Sequence, residues 1–437
     1  MGTETLRLLH FADLHLGVQS GGRIDPATGL NQRIVDVCDR LDALCDAAEA
    51  QQVHAVLFAG DAFNNQHPNP TLQSLFASRV RRLARDGVAV FLLIGNHDLP
   101  RAAALAHPFS IYDALEVERV VVGDRAQVYR MPLRDGAPAP ELQVAALPHF
   151  SRHQVLAALG EDVTDPEKVI EEQVARTVRS LGDAIDPSLP AVFVGHCHVN
   201  QADIGPAHAL FGVSDVEVSL STLTSGQPFP YFGLGHIHKR QVLSSDPFVA
   251  YPGSLERVDF GEGERIDVGP AAVTKHTDAE PKGYYRFDLV RNGDWHLDAE
   301  PRFETIDARR FVTLRLGDLA PTDPMDDIAR RVALVRQSGV AFDDAFVRLT
   351  ASLSAPDRAR VSTGAVRNLI AEAYDVRLAL DAQVSTLVRD PRFAEPMSEN
   401  EALDHFLQTK QDWSDDRDTL QRLGREIIAE VLAKVTG

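Results

Sequence analysis

Through roughly the first 240 residues, short apolar runs alternate with stretches of helical periodicity, the pattern of an α/β fold. Leu6 to Phe11 reads as a strand. Ile34 to Ala50 places Val37, Leu41, Leu44 and Ala48 at helical spacing, and Val53 to Ala59 follows as a buried strand. Leu72 to Arg85 repeats the helix and Val88 to Ile94 the strand. Strand after strand runs into a polar cluster: Asp13-Leu14-His15, Gly60-Asp61, Gly95-Asn96-His97-Asp98, Gly195-His196 and Gly235-His236-Ile237-His238. Ligands of open α/β sheets sit at the C-terminal ends of strands, so these clusters are the first place to look for chemistry.

Farther on, Tyr284 to Phe311 alternates like antiparallel strands around a turn at Asn292-Gly293-Asp294 and completes the sheets of the first unit. Phe311–Leu316 and Ala345–Leu353 read as strands, and Asp326–Arg336 and Gly364–Ala373 as helices, giving a small α+β unit. After the break at Asp390-Pro391 to Pro396, two helices are expected, Glu399–Lys410 and Asp415–Lys434. The second carries Leu420, Leu423, Ile427 and Val431 on one face. The expected division is therefore 1–308, 309–388 and 389–437, three units in 437 residues.

Composition narrows the function classes. Hydrophobic residues are 44% and charged residues 24%, with no apolar run near the ~20 residues of a membrane helix, so no membrane role is expected. Cys38, Cys45 and Cys197 are too few and scattered for a disulfide framework, and no basic, cleavable leader opens the chain; a cytoplasmic protein is expected. The formal charge of −19 argues against a broad basic surface for nucleic acid, unless divalent cations, a local arginine cluster or a partner supplies the positive field.

The polar clusters make such cations the central expectation. A two-metal centre needs several oxygen and imidazole ligands around ions about 3.5 to 4 Å apart, with one carboxylate between them. Asp13 and His15, one residue apart, project to the same side if the segment stays extended, and His236 and His238 repeat the spacing. Asp61, after Gly60, is the natural bridge because it offers two oxygens, and the carbonyl of Asn96 suits a hard ion such as Mn2+ or Mg2+. A lone D-x-H or H-x-H is commonly surface polarity; five clusters in this order, each ending a strand, are not coincidence.

That order resembles the calcineurin-like metallophosphoesterase superfamily, over most of residues 1–265. His10-Phe11-Ala12-Asp13-Leu14-His15-Leu16-Gly17 and Tyr251-Pro252-Gly253-Ser254-Leu255-Glu256-Arg257 are similar to the SbcD-type nuclease subunits of DNA double-strand-break repair. The resemblance implies a four-layer sandwich of two mixed sheets flanked by helices, a small α+β capping domain at 309–388 that presents DNA, and C-terminal helices that dock on an SbcC-type SMC-like ATPase. It implies two divalent metal ions, Mn2+ foremost, with Mg2+ or Fe2+ accepted by the same ligands. Asp13, His15, Asp61 and His238 would hold one, and Asp61, Asn96, His196 and His236 the other. His97 would stabilise the phosphate oxygens or protonate the leaving 3′-oxygen, with Asp98 orienting its ring. The implied activity is 3′ to 5′ exonuclease on duplex ends and endonuclease on hairpins and single strands, by water activated between two metals, in a homodimer. The competing readings are a phosphoesterase of nucleotides or other small substrates, and a degenerate scaffold.

Some residues stay open. His196 is preferred to His198 because it directly follows the buried run Ala191 to Gly195, and Cys197 between them is read as core. Asn64 and Arg257 are candidate substrate contacts. Some relatives hold a charged His or Asp where Asn64 stands, and Arg257 could equally form only a salt bridge. Arg23 and Arg33 could meet a phosphate backbone. His67 could stand in for the missing charge or lie in a surface turn, His10 is expected to pack, and His54, His107, His149, His208 and His276 lack ligand spacing.

Overall fold

Both faces of the central strands are apolar, and that dictates layering on both sides. In the strand Thr5–Phe11, Leu6 and Leu8 are buried toward one side, Leu9 and Phe11 toward the other. The computed structural model describes residues 4–19, 21–100, 105–152, 155, 165–205, 216–277, 279–320, 322–382, 419–426 and 428. Leu6 and Leu8 meet Val144, Val192, Val194 and Tyr231 of a second sheet, forming the seam of a sandwich. Leu9 and Phe11 meet Val37, Leu41 and Leu44 of the helix Gln32–Ala50 and Phe76 and Val80 of the helix Pro70–Arg85. Ile170, Val174, Val178 and Leu181 of the helix Pro166–Asp183 cover the far face of the second sheet. The result is the expected helix–sheet–sheet–helix sandwich.

The first sheet runs Asp294–Leu297, Gly283–Asn292, Thr5–Phe11, Ala55–Phe58, Ala89–Leu93, Val120–Gly123, with Arg302–Thr305 also on Gly283–Asn292. Its last four strands in that order are parallel, and Gly283–Asn292 is antiparallel to Thr5–Phe11. The second sheet runs Gln241–Ser245, Phe248–Tyr251, Tyr231–Gly235, Ala191–His196, Glu141–Leu147, Val128–Pro132. Its four inner strands are parallel and its edges antiparallel, so both sheets are mixed. Asn69 caps the helix Pro70–Arg85 by accepting from the Leu72 N–H, with Pro70 at the first turn where its missing N–H costs nothing.

A third, five-stranded sheet is ordered Val273–Thr277, Glu264–Val268, Phe311–Asp318, Phe346–Leu353, Asp375–Ala382. The helix Pro324–Gln337 covers one face through Ile328, Val332 and Val335. Two of the strands come from before residue 309, so the expected 308/309 division runs through this sheet; periodicity identifies a strand but not the neighbour it will choose. At the start of the other face Phe311 and Phe346 dock on the first unit, with the buried Arg33 guanidinium 4.9 and 5.4 Å from their rings. Arg309 grips Asp36 of the helix Gln32–Ala50 with two bonds of 2.7 and 2.8 Å.

Residues 419–426 are helical, as expected, while Glu399–Lys410 and the rest of the second C-terminal helix lie outside the described residues. No helix among the described residues is long and apolar enough to cross a membrane. The three cysteines are free and buried, Cys197 in the core behind the second sheet.

Candidate metal centre

The parallel strands of both sheets end along one edge, and all seven expected ligands gather there. Asp13 and His15 follow Thr5–Phe11, Asp61 follows Ala55–Phe58, and Asn96 follows Ala89–Leu93; His196 ends its strand and His236 and His238 follow Tyr231–Gly235. The route differs from the extended one expected. Asp13, His15, Asp61 and His236 take positive φ of 52°, 46°, 61° and 97°, a region costing a non-glycine residue about 1–3 kcal/mol. Turning the backbone rather than extending it aims these side chains inward. Bonds between the two loops hold the strain, with Asp13 N–H donating to Gly60 O at 3.0 Å and Leu14 and His15 N–H to Asp61 O at 2.9 and 3.0 Å. Gly60 must be glycine, since at φ +95° a Cβ would also collide with the His196 ring.

Asp61 Oδ2 lies 3.6 Å from His15 Nε2 and 3.5 Å from His196 Nε2, between two donor groups. On one side the Nε2 atoms of His15 and His238 are 2.9 Å apart, with an Asp13 carboxylate oxygen near both. On the other, Asn96 Oδ1 is 2.9 Å from His196 Nε2 and 3.1 Å from His236 Nδ1. Asp61 Oδ1 accepts the His97 N–H at 2.8 Å, and Oδ2 is the oxygen that stands between the two groups.

The donor set fits divalent cations. Asp13 and Asp61 are buried, and a buried carboxylate requires a compensating charge. Burial raises the Asp13 carboxyl, and the same burial would raise Asp61 had His196, His15 and His97 not held it well below the usual range. Burial pushes His196 down, but the Asp61 and Asp13 carboxylates prevail and bring it up to about 9. Burial and the neighbouring His238 hold His15 well below its ordinary value, and its Nδ1 is buried without a hydrogen-bond partner. His196 Nδ1 lies 2.6 Å from the Ala59 carbonyl, which accepts its proton and turns the Nε2 lone pair into the centre. Imidazole nitrogens around a shared carboxylate oxygen, with an amide carbonyl beside them, form a mixed nitrogen and oxygen set of the kind that holds divalent first-row ions. Among the described residues three overlapping groups, Asp13–His15–His238, His15–Asp61–His97 and Asp13–Asp61–His196, bring their ligand atoms close enough together to hold an ion.

His97 stands beside them, its ring 4.7 Å from that of His15 and its Nδ1 2.9 Å from the backbone carbonyl of Asn64. Asp98 does not orient that ring, contrary to expectation. It is wholly buried and accepts the N–H groups of Asp61 at 2.8 Å, Gly95 at 3.2 Å, Ala62 at 3.3 Å and Phe63 at 3.4 Å, holding together the loops that carry Asp61 and Asn96. Burial, then the nearby Asp61 charge, lifts it to about 7. Asp98→Ala should therefore destabilise the fold by about 3–5 kcal/mol, as several buried N–H groups lose their acceptor at once; chemical unfolding without metal checks this.

Arg257 is also corrected. It is buried and donates to the carbonyls of Ala308, Arg309 and Glu280 at 3.1, 2.8 and 2.8 Å, so its role is to brace the third sheet rather than to meet substrate. Buried Arg33 is likewise committed to packing. Asn64 reaches the site through its backbone carbonyl, and His67 is exposed. His198 pairs with Glu217 in a separate two-stranded ladder, which leaves His196 at the centre. His10 packs as expected, its Nδ1 2.8 Å from the Tyr231 hydroxyl and burial driving its pKa to about 3.

Sequence reasoning missed two features. His149, after the strand Glu141–Leu147, brings its ring 6.0 Å from that of His196 and 5.9 Å from that of His236. The strand-end rule that found the other clusters could have found it. Glu262 accepts from His238 Nδ1 at 2.9 Å; no spacing pattern announces that contact.

The family comparison points to the same class of chemistry as this geometry. Residues 6–209 match the family model described as calcineurin-like phosphoesterase. The matched segment, somewhat under half of the chain, is thus similar to calcineurin-like phosphoesterases. The chain is 28% identical over 274 residues to the D component of the nuclease SbcCD of Escherichia coli K12, covering 59% of this chain and 62% of that one. It thus spans less than two thirds of that relative's length. It is 22% identical over 317 residues to the DNA double-strand break repair protein Mre11 of Methanocaldococcus jannaschii, covering 72% and 70%. Among solved structures, a dimetal phosphatase from Danio rerio is similar at 12% identity and a TM-score of 0.36, covering 69% of this chain and 98% of that one.

Proposed function

We propose that this chain is the nuclease subunit of an SbcCD-like DNA repair complex, cleaving phosphodiesters at duplex ends and hairpins. Asp13, His15, Asp61 and His238 hold one divalent ion and Asp61, Asn96, His196 and His236 the other, with Mn2+ the first candidate. Such ions, when bound, neutralise the phosphate and generate the nucleophile from water. The chain's own residues do the rest. His97 Nδ1–H donates a hydrogen bond to the Asn64 carbonyl, so in the imidazolium form the second proton sits on Nε2, available to a phosphate oxygen or the leaving 3′-oxygen.

The observation that carries DNA over a small phosphoester is an arginine row in a chain of net charge −19. On the third sheet Arg265, Thr313, Arg348 and Arg377 are successive cross-strand partners, on the face that docks through Phe311 and Phe346. The row adjoins the centre. Arg348 lies 4.7 Å from the Phe260 ring, in the turn whose Glu262 meets His238, and Arg377 packs on Gly21, just past the Asp13–His15 loop. Spaced cations here suit a phosphate backbone. The relatives' names, a subunit of the nuclease SbcCD and a double-strand break repair protein, support the same reading, and we propose with it an SbcC-type ATPase partner, a homodimer and a cytoplasmic location.

The test uses purified protein, Mn2+, an end-labelled blunt duplex, a hairpin and bis-p-nitrophenyl phosphate, with and without the cognate ATPase. Cleavage of the small diester but of no DNA, even with the ATPase present, refutes the nuclease reading. Replacing Arg348 and Arg377 together with alanine should weaken duplex binding and lower the salt-dependence slope by about 2, with turnover of the small diester unchanged. Binding measured across a series of salt concentrations checks it.

A further inference from the structure

We infer that Glu262 is a positioning residue that fixes the tautomer and aim of His238, and so sets the metal affinity of one half of the centre; this rests on the two-metal reading above. Glu262 is buried, as are its partners Ser254 and Lys282. Its Oε1 meets His238 Nδ1 at 2.9 Å. Its Oε2 accepts from Ser254 Oγ at 2.7 Å and from Lys282 Nζ, and Lys282 also donates to Ser254 Oγ at 2.7 Å and to the His238 carbonyl at 3.2 Å. An ionised carboxylate only accepts, so the His238 proton is pinned on Nδ1 and the Nε2 lone pair is turned to the centre, 2.9 Å from His15 Nε2.

The two halves are held differently. His196 is oriented by the neutral Ala59 carbonyl, whereas His238 is backed by a carboxylate, which makes its ring the stronger donor. The carboxylate has its compensating charge at hand, because the Lys282 ammonium donates to Oε2. A structural ion pair would need only Lys282. Oε1 also accepts the Val258 N–H at 3.3 Å, but its shorter contact, on a ligand histidine, is what a purely structural role leaves unexplained. Its position also tethers the centre to the third sheet, because the turn Phe260–Glu262 leads directly into the strand Glu264–Val268, while Lys282 precedes Gly283–Asn292 of the first sheet.

The test is calorimetric titration of the full chain with Mn2+, alongside thermal melting without metal. Glu262→Gln alone strands the Lys282 charge, so it is read with the double variant Glu262→Gln/Lys282→Met, which buries no unpaired ion. In both, one of two Mn2+ sites should weaken by about 10- to 100-fold while the other keeps its affinity, and Lys282→Met alone should weaken neither comparably. Two unchanged sites in the double variant overturn the inference and leave Glu262 a structural ion pair. Equal weakening of both sites with a lowered melting temperature also overturns it, as a loss of fold. Wild-type protein that fails to bind two Mn2+ ions overturns the two-metal reading first, and the inference with it.

Discussion

Asp61→Asn should empty both halves of the centre at once and lower diester turnover by about 10³-fold or more, with the fold intact. The geometry decides how the amide sits. Oδ1 of Asp61 accepts the His97 N–H at 2.8 Å, so the asparagine must keep its oxygen there. Its NH2 then occupies the Oδ2 position, facing His15 Nε2 and His196 Nε2 at 3.6 and 3.5 Å. A donor would stand where both cations need a lone pair. Stability should not suffer, because the Asp61 charge is one of the causes that lift Asp98 to about 7, and removing it relieves that buried carboxyl. Metal content after dialysis, with unfolding measured in chelator, checks both halves. One ion retained at wild-type affinity would mean that Asp61 serves a single metal and does not bridge.

The sandwich and the gathering of ligands were legible because each rests on local pattern. Continuous apolar runs such as Ala55–Phe58 and Ala89–Leu93 can only be strands buried on both faces, and a polar cluster after each marks one edge. The illegible features depend on side-chain partners far apart in sequence. Asp98 follows His97 directly, yet its oxygens are claimed by backbone N–H groups more than thirty positions away, at Asp61, Ala62 and Phe63. Arg257 reads as a free cation until the third sheet delivers the Ala308 and Arg309 carbonyls to it. The positive φ at Asp13 and His15 leaves no trace in residue type, because only the interlocking with the Asp61 loop makes it tolerable. The net charge of −19 is silent in the same way, since a sum over the chain cannot reveal that Arg265, Arg348 and Arg377 fall in one cross-strand row.

His97→Ala should leave both metals bound and lower DNA cleavage by about 10²- to 10⁴-fold, the range of a lost general acid. The side chain is separable from the centre's construction. Its backbone N–H, which holds Asp61 Oδ1, survives the substitution, and its ring rests on the Asn64 carbonyl and edge-on to the His15 ring. The choice of substrate then distinguishes the two roles open to the imidazole. A deoxyribose 3′-oxygen leaves as a strongly basic alkoxide and needs a proton, whereas p-nitrophenolate leaves without one. If His97 donates that proton, DNA cleavage should fall far more than hydrolysis of bis-p-nitrophenyl phosphate. If instead the imidazolium stabilises the non-bridging phosphate oxygens, both substrates should lose rate in equal proportion, because those oxygens carry the same developing charge in each. The ratio of the two losses in the variant therefore assigns the role, and measuring Mn2+ affinity in the same preparation excludes a lost metal as the cause.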